Sequence, residues 1–176
     1  MEFSMETGKV IEAAIAYFEN DIRRISHLLK VYGFAKAIGE KEQLDLFTME
    51  CLETAAVLHD IGIKISEEKY QSSAGKYQEL EGPPVAAVIL KKLEFPAPAP
   101  VTERVAYLIG HHHTYDKIEG MDYQILVEAD FLVNINEDGL DSSKQGLDSI
   151  RKIKENIFKT KTGTKILESI YLSKVN

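Results

Sequence analysis

Apolar side chains recur at helical spacing along almost the whole chain, and apolar–polar alternation never persists beyond a few residues. Ile11, Ala14, Ile15 and Phe18 fall at i, i+3, i+4 and i+7, the stripe of an opening helix. Asn20 can cap a second helix through Ile22, Ile25, Leu28, Leu29 and Tyr32, with Gly39 at its end. A third runs from about Leu46 to His59, with Leu52, Ala55 and Ala56 inside and Gly62 closing it. The segment Ile65 to Glu81 is polar, carries Ser72, Ser73 and Gly75, and reads as a long loop with at most a short helical turn. Pro83 and Pro84 suit the first turn of a fourth helix through Val85, Val88, Ile89 and Leu93. Phe95 to Pro100, with a proline at every second position, reads as a stiff surface connection. Thr102 can cap a fifth helix through Val105, Leu108, Ile109 and His112, and a sixth spans about Tyr123 to Asn136. Two more cover about Leu147 to Phe158 and Ile166 to Leu172. The pattern predicts an all-α, single-domain helical bundle over residues 1–176.

Its 176 residues are enough for one continuous core. With 28 acidic against 21 basic residues, the formal net charge is −7. That balance argues against a nucleic-acid polymer or a membrane surface as partner, since both demand basic stripes. A small anionic substrate stays open, because the field in one cleft can differ from the total. A single cysteine, Cys51, rules out an intrachain disulfide and a cysteine-based zinc site, and its apolar helical setting makes it a core residue. Met1 to Lys9 lack the basic-then-apolar pattern of a signal peptide, and no apolar run approaches the ~20 residues that span a bilayer. The expected location is cytoplasmic, and a homo-oligomer is compatible with everything so far.

Each of the five histidines lies in or beside an apolar helical stripe. A lone His there is usually a core residue, but buried imidazoles need partners at both nitrogens. Shared coordination of a cation would serve several at once. His59 continues Leu52, Ala55 and Ala56 at i+7, and Asp60 follows it. His112 continues Val105, Leu108 and Ile109, while Asp130 stands amid Ile125 to Val133. His27 sits between Ile25 and Leu28. A carboxylate in such apolar surroundings needs a partner. A nitrogen–oxygen set without thiolate suits Mn²⁺, Fe²⁺, Co²⁺, Ni²⁺, Zn²⁺ or Mg²⁺, and positions left open belong to catalytic metals.

These residues resemble the HD-domain superfamily of metal-dependent phosphohydrolases. That family has a His on an early helix, an adjacent His-Asp pair ending a later one, and a distant Asp. Here they are His27, His59-Asp60 within Ala55-Ala56-Val57-Leu58-His59-Asp60-Ile61-Gly62, and Asp130 within Glu128-Ala129-Asp130. The resemblance covers about residues 21–136, leaving flanking helices at both ends. It implies an HD-type bundle in which His27, His59, Asp60 and Asp130 ligate a divalent metal ion. Two-metal members carry another His near the place of Gln78 to Glu81 and a His or His-His near His111-His112. No His occupies the first place, so the resemblance favours one metal over two, with Glu79 or Glu81 as conceivable substitutes.

The implied activity is hydrolysis of a small phosphate ester, a nucleotide included, by a metal-activated water. Asp60, His112 and Lys64 are the catalytic candidates, and Lys64, His111, His112 and Asn134 the substrate-binding ones. Arg23, Lys69 and Lys76 are weaker phosphate contacts. Ile63 stands where some nucleotidase relatives carry an acidic residue, leaving the general base open among Asp60, His112, Glu67 and Glu68. His113 is expected to be exposed and idle. Three other readings compete: a non-catalytic metal- or ligand-binding sensor or scaffold, a di-iron oxygenase, which wants more ligands than can be placed, and a plain helical interaction module whose histidines are core residues.

Overall fold

The computed structural model describes residues 6–93 and 97–173. Its helices are α1 (Thr7–Phe18), α2 (Ile22–Lys41), α3 (Leu46–Leu58), α4 (Ile63–Tyr70), α5 (Gly75–Lys92), α6 (Ala99–Ile109), α7 (Met121–Glu137), α8 (Lys144–Ile157) and α9 (Lys161–Leu167). A 3₁₀ turn covers Leu140–Ser142, a π turn covers Glu168–Leu172, and no strand occurs among the described residues. The fold is all-α. None of these helices is long and apolar enough to cross a membrane.

Side-chain caps set several starts. Asp21 accepts from the Arg24 amide, Asp45 from Thr48, Ser143 from Gly146 and Thr160 from Gly163. At the centre lies α3, packed by α1, α2, α6 and α7. Cys51 through Leu58 are all buried, as are Asp122 through Asp130 of α7, so both helices lack a solvent face there. Cys51 is fully buried, as its setting predicts, and burial pushes its thiol up to about 12. Two buried carboxylates act as fasteners. Glu53 of α3 accepts from Thr7, Tyr32 and Lys36, tying α1 to α2. Glu128 of α7 accepts from Gln124, the amides of Lys159 and Thr160, and the Thr160 hydroxyl, docking the C-terminal helices.

Several boundaries depart from expectation. Asp21, not Asn20, caps α2, and α2 runs past Gly39 to Lys41; that glycine packs close to Met49, whose Sδ would stand 2.7 Å from a Cβ there. The segment read as a loop is mostly helix: α4 and the start of α5 leave only residues 71–74 between them. Its polarity reflects exposure, since Ser66 is the one buried residue of α4. Pro83 and Pro84 stand inside α5 rather than in its first turn, where they withhold the amides that would bond Glu79 and Leu80. Helix α6 starts before Thr102, and it ends before His112, which lies in the following turn. Part of the expected stiff connection, residues 94–96, lies outside the described residues, as do Met1 to Met5 of the N-terminal segment.

Gly62 does not close α3 in a left-handed conformation; its φ is −76° and it opens α4. It is required for a different reason. A Cβ there would stand 2.5 Å from the Gly82 amide nitrogen and 2.7 Å from the Gln78 carbonyl. The turn after His59-Asp60 therefore rests directly on the backbone of α5. Gly62→Ala is expected to cost about 1–3 kcal/mol of stability, because backbone must move. Gly8→Ala, with open space around its Cβ, should fall within about 1 kcal/mol of the parent or slightly above it. Urea denaturation of both variants measures the difference.

Candidate metal centre

Three helices deliver four polar side chains to one point between α2, α3 and α7. His27 comes from the second turn of α2, His59 and Asp60 from the end of α3, and Asp130 from the middle of α7. The His27 Nε2 lies 3.2 Å from His59 Nε2, 3.5 Å from Asp60 Oδ2 and 3.3 Å from Asp130 Oδ1. His59 Nε2 stands 3.6 Å from each of the same carboxylate oxygens. Ligands held at ~2.1 Å from one tetrahedral ion are ~3.4 Å apart, so these separations match the edges of a coordination polyhedron.

The opposite nitrogens fix the tautomers. His59 Nδ1–H donates to the Ala56 carbonyl at 2.8 Å, and His27 Nδ1–H donates to Glu137 at 2.8 Å. Both Nε2 lone pairs then face each other across 3.2 Å, an arrangement that only a cation or a proton between them relieves. Without a cation, protons take that role. Burial lowers the affinity of His59 for a proton, but the Asp60 and Asp130 carboxylates outweigh it and raise the imidazole to about 9. His27 is raised in the same way, chiefly by Asp130 against its burial. Asp60 and Asp130 are held well below the usual carboxylate range, burial being overcome by His59 for Asp60 and by His27 and His59 for Asp130.

A second set adjoins the first. His112 Nδ1–H donates to the Ile109 carbonyl at 2.7 Å, which leaves its Nε2 lone pair 3.5 Å from Asp60 Oδ1. The ligand atoms of Asp60, His112 and His113 all lie within 4.8 Å of one another, as do those of His27, His59 and Asp60. His113 is not exposed as its sequence position suggested. It is half-buried against Gly75, its Nε2 has no partner among the described residues, and burial lowers its pKa to about 4. Tyr123 holds this turn in place, its hydroxyl lying against the carbonyls of His111 and Thr114.

The other expected residues divide. Asn134 lines the cleft and donates to Asp130 Oδ1 at 2.8 Å. His111 instead stacks on Tyr107 at 4.2 Å and bonds its carbonyl, away from the cleft lining. Lys64 also misses the cleft; its Nζ lies 3.6 Å from Glu19 and over the Tyr17 ring. Neither Glu79 nor Glu81, the conceivable substitutes for the missing His, is among the residues lining the cleft. Glu79 accepts from the His113 amide and the Thr114 hydroxyl, and Glu81 from Lys69 and Tyr70. Glu67 lines the cleft but is bound to Arg24 at 2.6 Å, and Lys76 lies over the Tyr77 ring.

A cleft of about 530 Å³ opens beside the cluster. Sequence reasoning missed Glu137, which lines it and accepts from both His27 and Lys30. The clue was present: Glu137 follows Asp130 at i+7 and so shares its face of α7. Arg24, three residues before His27 and so on the same side of α2, also lines the cleft and was missed.

The HD domain family model matches residues 24–161. No curated protein and no solved structure matches the chain. A carboxylate behind a ligating imidazole fixes its orientation and raises its basicity, so Glu137→Ala should weaken divalent-metal affinity about 10–100-fold. Competition against a chromogenic chelator measures it, with the helical circular dichroism unchanged.

Proposed function

Because the chain belongs to the HD domain family, a superfamily of metal-dependent phosphohydrolases, we propose that it hydrolyses a small phosphate ester with a divalent cation held by His27, His59, Asp60 and Asp130. The observation that carries the reading is the pair of facing Nε2 lone pairs flanked by two carboxylates. A divalent cation bound there would screen phosphate charge and lower the pKa of a water. Mn²⁺, Fe²⁺, Co²⁺, Ni²⁺, Zn²⁺ and Mg²⁺ all suit the donor set.

The protein's own groups take distinct parts. Ala56 and Glu137 orient the two imidazoles, and Asn134 holds Asp130. Asp60 faces both sets, with Oδ2 toward His27 and His59 and Oδ1 toward His112. His112, with Nδ1 committed to backbone, accepts the water's proton at Nε2. Arg23 lines the cleft and has no ion pair among the described residues, so it contacts the substrate's anionic group. Lys64, bound to Glu19, has no such part. A second cation at Asp60, His112 and His113 is the competing arrangement, favoured by the close approach of their ligand atoms.

The reading is tested with protein purified without chelator, its metal content, and release of p-nitrophenol from p-nitrophenyl phosphate. His59→Ala and Asp60→Ala should each lose the metal and at least about a thousandfold in turnover while remaining helical, the scale of several kcal/mol of lost charge stabilisation. Unchanged turnover in either variant refutes the mechanism. Stoichiometric metal with no turnover on a panel of phosphorylated metabolites and nucleotides would favour a sensor or scaffold. Arg23→Ala should raise KM severalfold with little change in kcat, the mark of lost uniform binding.

A further inference from the structure

Among the described residues, four buried side-chain atoms lack a hydrogen-bond partner, and three of them belong to Gln78, His112 and His113. The two imidazole nitrogens stand beside Asp60 and are accounted for by the candidate centre. The Gln78 carbonyl is not. Only 6% of this residue is exposed, yet it lines the cleft. Its orientation is determinate, because Nε2–H donates to the Ser73 carbonyl at 2.7 Å. With the donor end committed, Oε1 is left as a buried acceptor without a partner, on a residue that lines the cleft. A buried acceptor without a donor is costly, and a ligand that supplies one recovers that cost on binding.

The charges of the cleft narrow the ligand. Arg24 is absorbed by Asp21 at 3.1 Å and Glu67 at 2.6 Å, leaving Arg23 as the only cationic side chain in the lining without an ion pair among the described residues. Asp138 adds a carboxylate without an ion pair among the described residues to the same wall, while Glu137 is paired with Lys30. One phosphate can be met by a cation at the centre and by Arg23. A longer phosphate chain would run into carboxylates. The remainder of the substrate should therefore be neutral and able to donate to Gln78, and hydroxyls are the neutral donors that the alcohol half of a phosphate ester carries.

We propose that Gln78 Oε1 accepts a hydrogen bond from a substrate hydroxyl, so that the cleft selects monophosphate esters of a polyhydroxylated skeleton. The inference rests on the phosphohydrolase reading and adds the substrate class. A free sugar phosphate and the ribose of a nucleoside monophosphate offer the same chemistry, and the experiment separates them.

The metal-loaded full chain is assayed for phosphate release from ribose 5-phosphate and adenosine 5′-monophosphate, each beside its 2-deoxy and 3-deoxy forms, and from adenosine 5′-diphosphate. In one arm, kcat/KM should fall about tenfold or more for one deoxy form, the size of a lost hydrogen bond that leaves a buried acceptor unpaired. The diphosphate should be the poorer substrate of the adenosine arm. Gln78→Met should bring the deoxy ratio to within about threefold of unity, while Gln78→Glu, which keeps an acceptor, should retain the preference. Should Gln78→Met fail to fold, the parent protein's deoxy ratios still decide. Release without discrimination overturns this inference alone; no release from any arm overturns the phosphohydrolase reading with it. Two metal equivalents in the parent and one in Gln78→Met would assign the oxygen to a cation and overturn the proposal.

Discussion

Two imidazole lone pairs pointed at each other across 3.2 Å, with carboxylates on either side, are the demand around which this bundle is organised. Left dry and unshared, such a group would oppose folding, because the facing nitrogens have no donor between them and, among the described residues, Asn134 is the one neutral side chain that donates to the carboxylates. A shared cation turns the same atoms into a mutual tie between α2, α3 and α7. The central helices are thus joined by apolar packing over most of their length and by polar groups at one end.

That arrangement needs rigid support, which comes from contacts remote from the chemistry. Gly62 lets the turn after His59-Asp60 lie on the α5 backbone, and Gly82 in turn lies close under Ile109, at the end of the helix that leads into His112. Tyr123 gathers the carbonyls of the three-histidine turn. Glu128, two residues before Asp130, binds the segment leading into α9 and so holds the outer side of α7. Each of these contacts limits the movement of a group that must be placed within a fraction of an ångström.

The proposed activity carries an apparent contradiction: a cleft meant for anionic esters would be lined with acidic residues. The paired cations resolve part of it, since Arg24 and Lys30 neutralise Glu67 and Glu137 while orienting them. What remains positive is Arg23 and whatever cation the centre holds. Under the proposed reading, such a site would attract a phosphate at one point only and leave the rest of the ligand to neutral contacts such as Gln78. Discrimination would then depend on hydrogen bonds rather than on total charge.

Much of this was legible in the sequence. Helical periodicity predicted an all-α chain, and the conflict between apolar stripes and His27, His59, Asp60, His112 and Asp130 pointed to groups that need one another. Those inferences succeed because period and burial are local properties, repeated over many residues. The exposed helix α4 escaped notice, since a helix with one buried residue carries no apolar stripe. Pro83 and Pro84 misled, because their tolerance inside α5 depends on surroundings that no spacing reveals. Lys64 and His111 fell beside the right motifs but turn to Glu19 and Tyr107, and Glu137, Arg24 and Gln78 were left to the tertiary structure to single out. Sequence alone determined which residues could not be buried alone; only the packing of helices distant in the chain decided which of them meet, because direction around a helix axis is set by its neighbours.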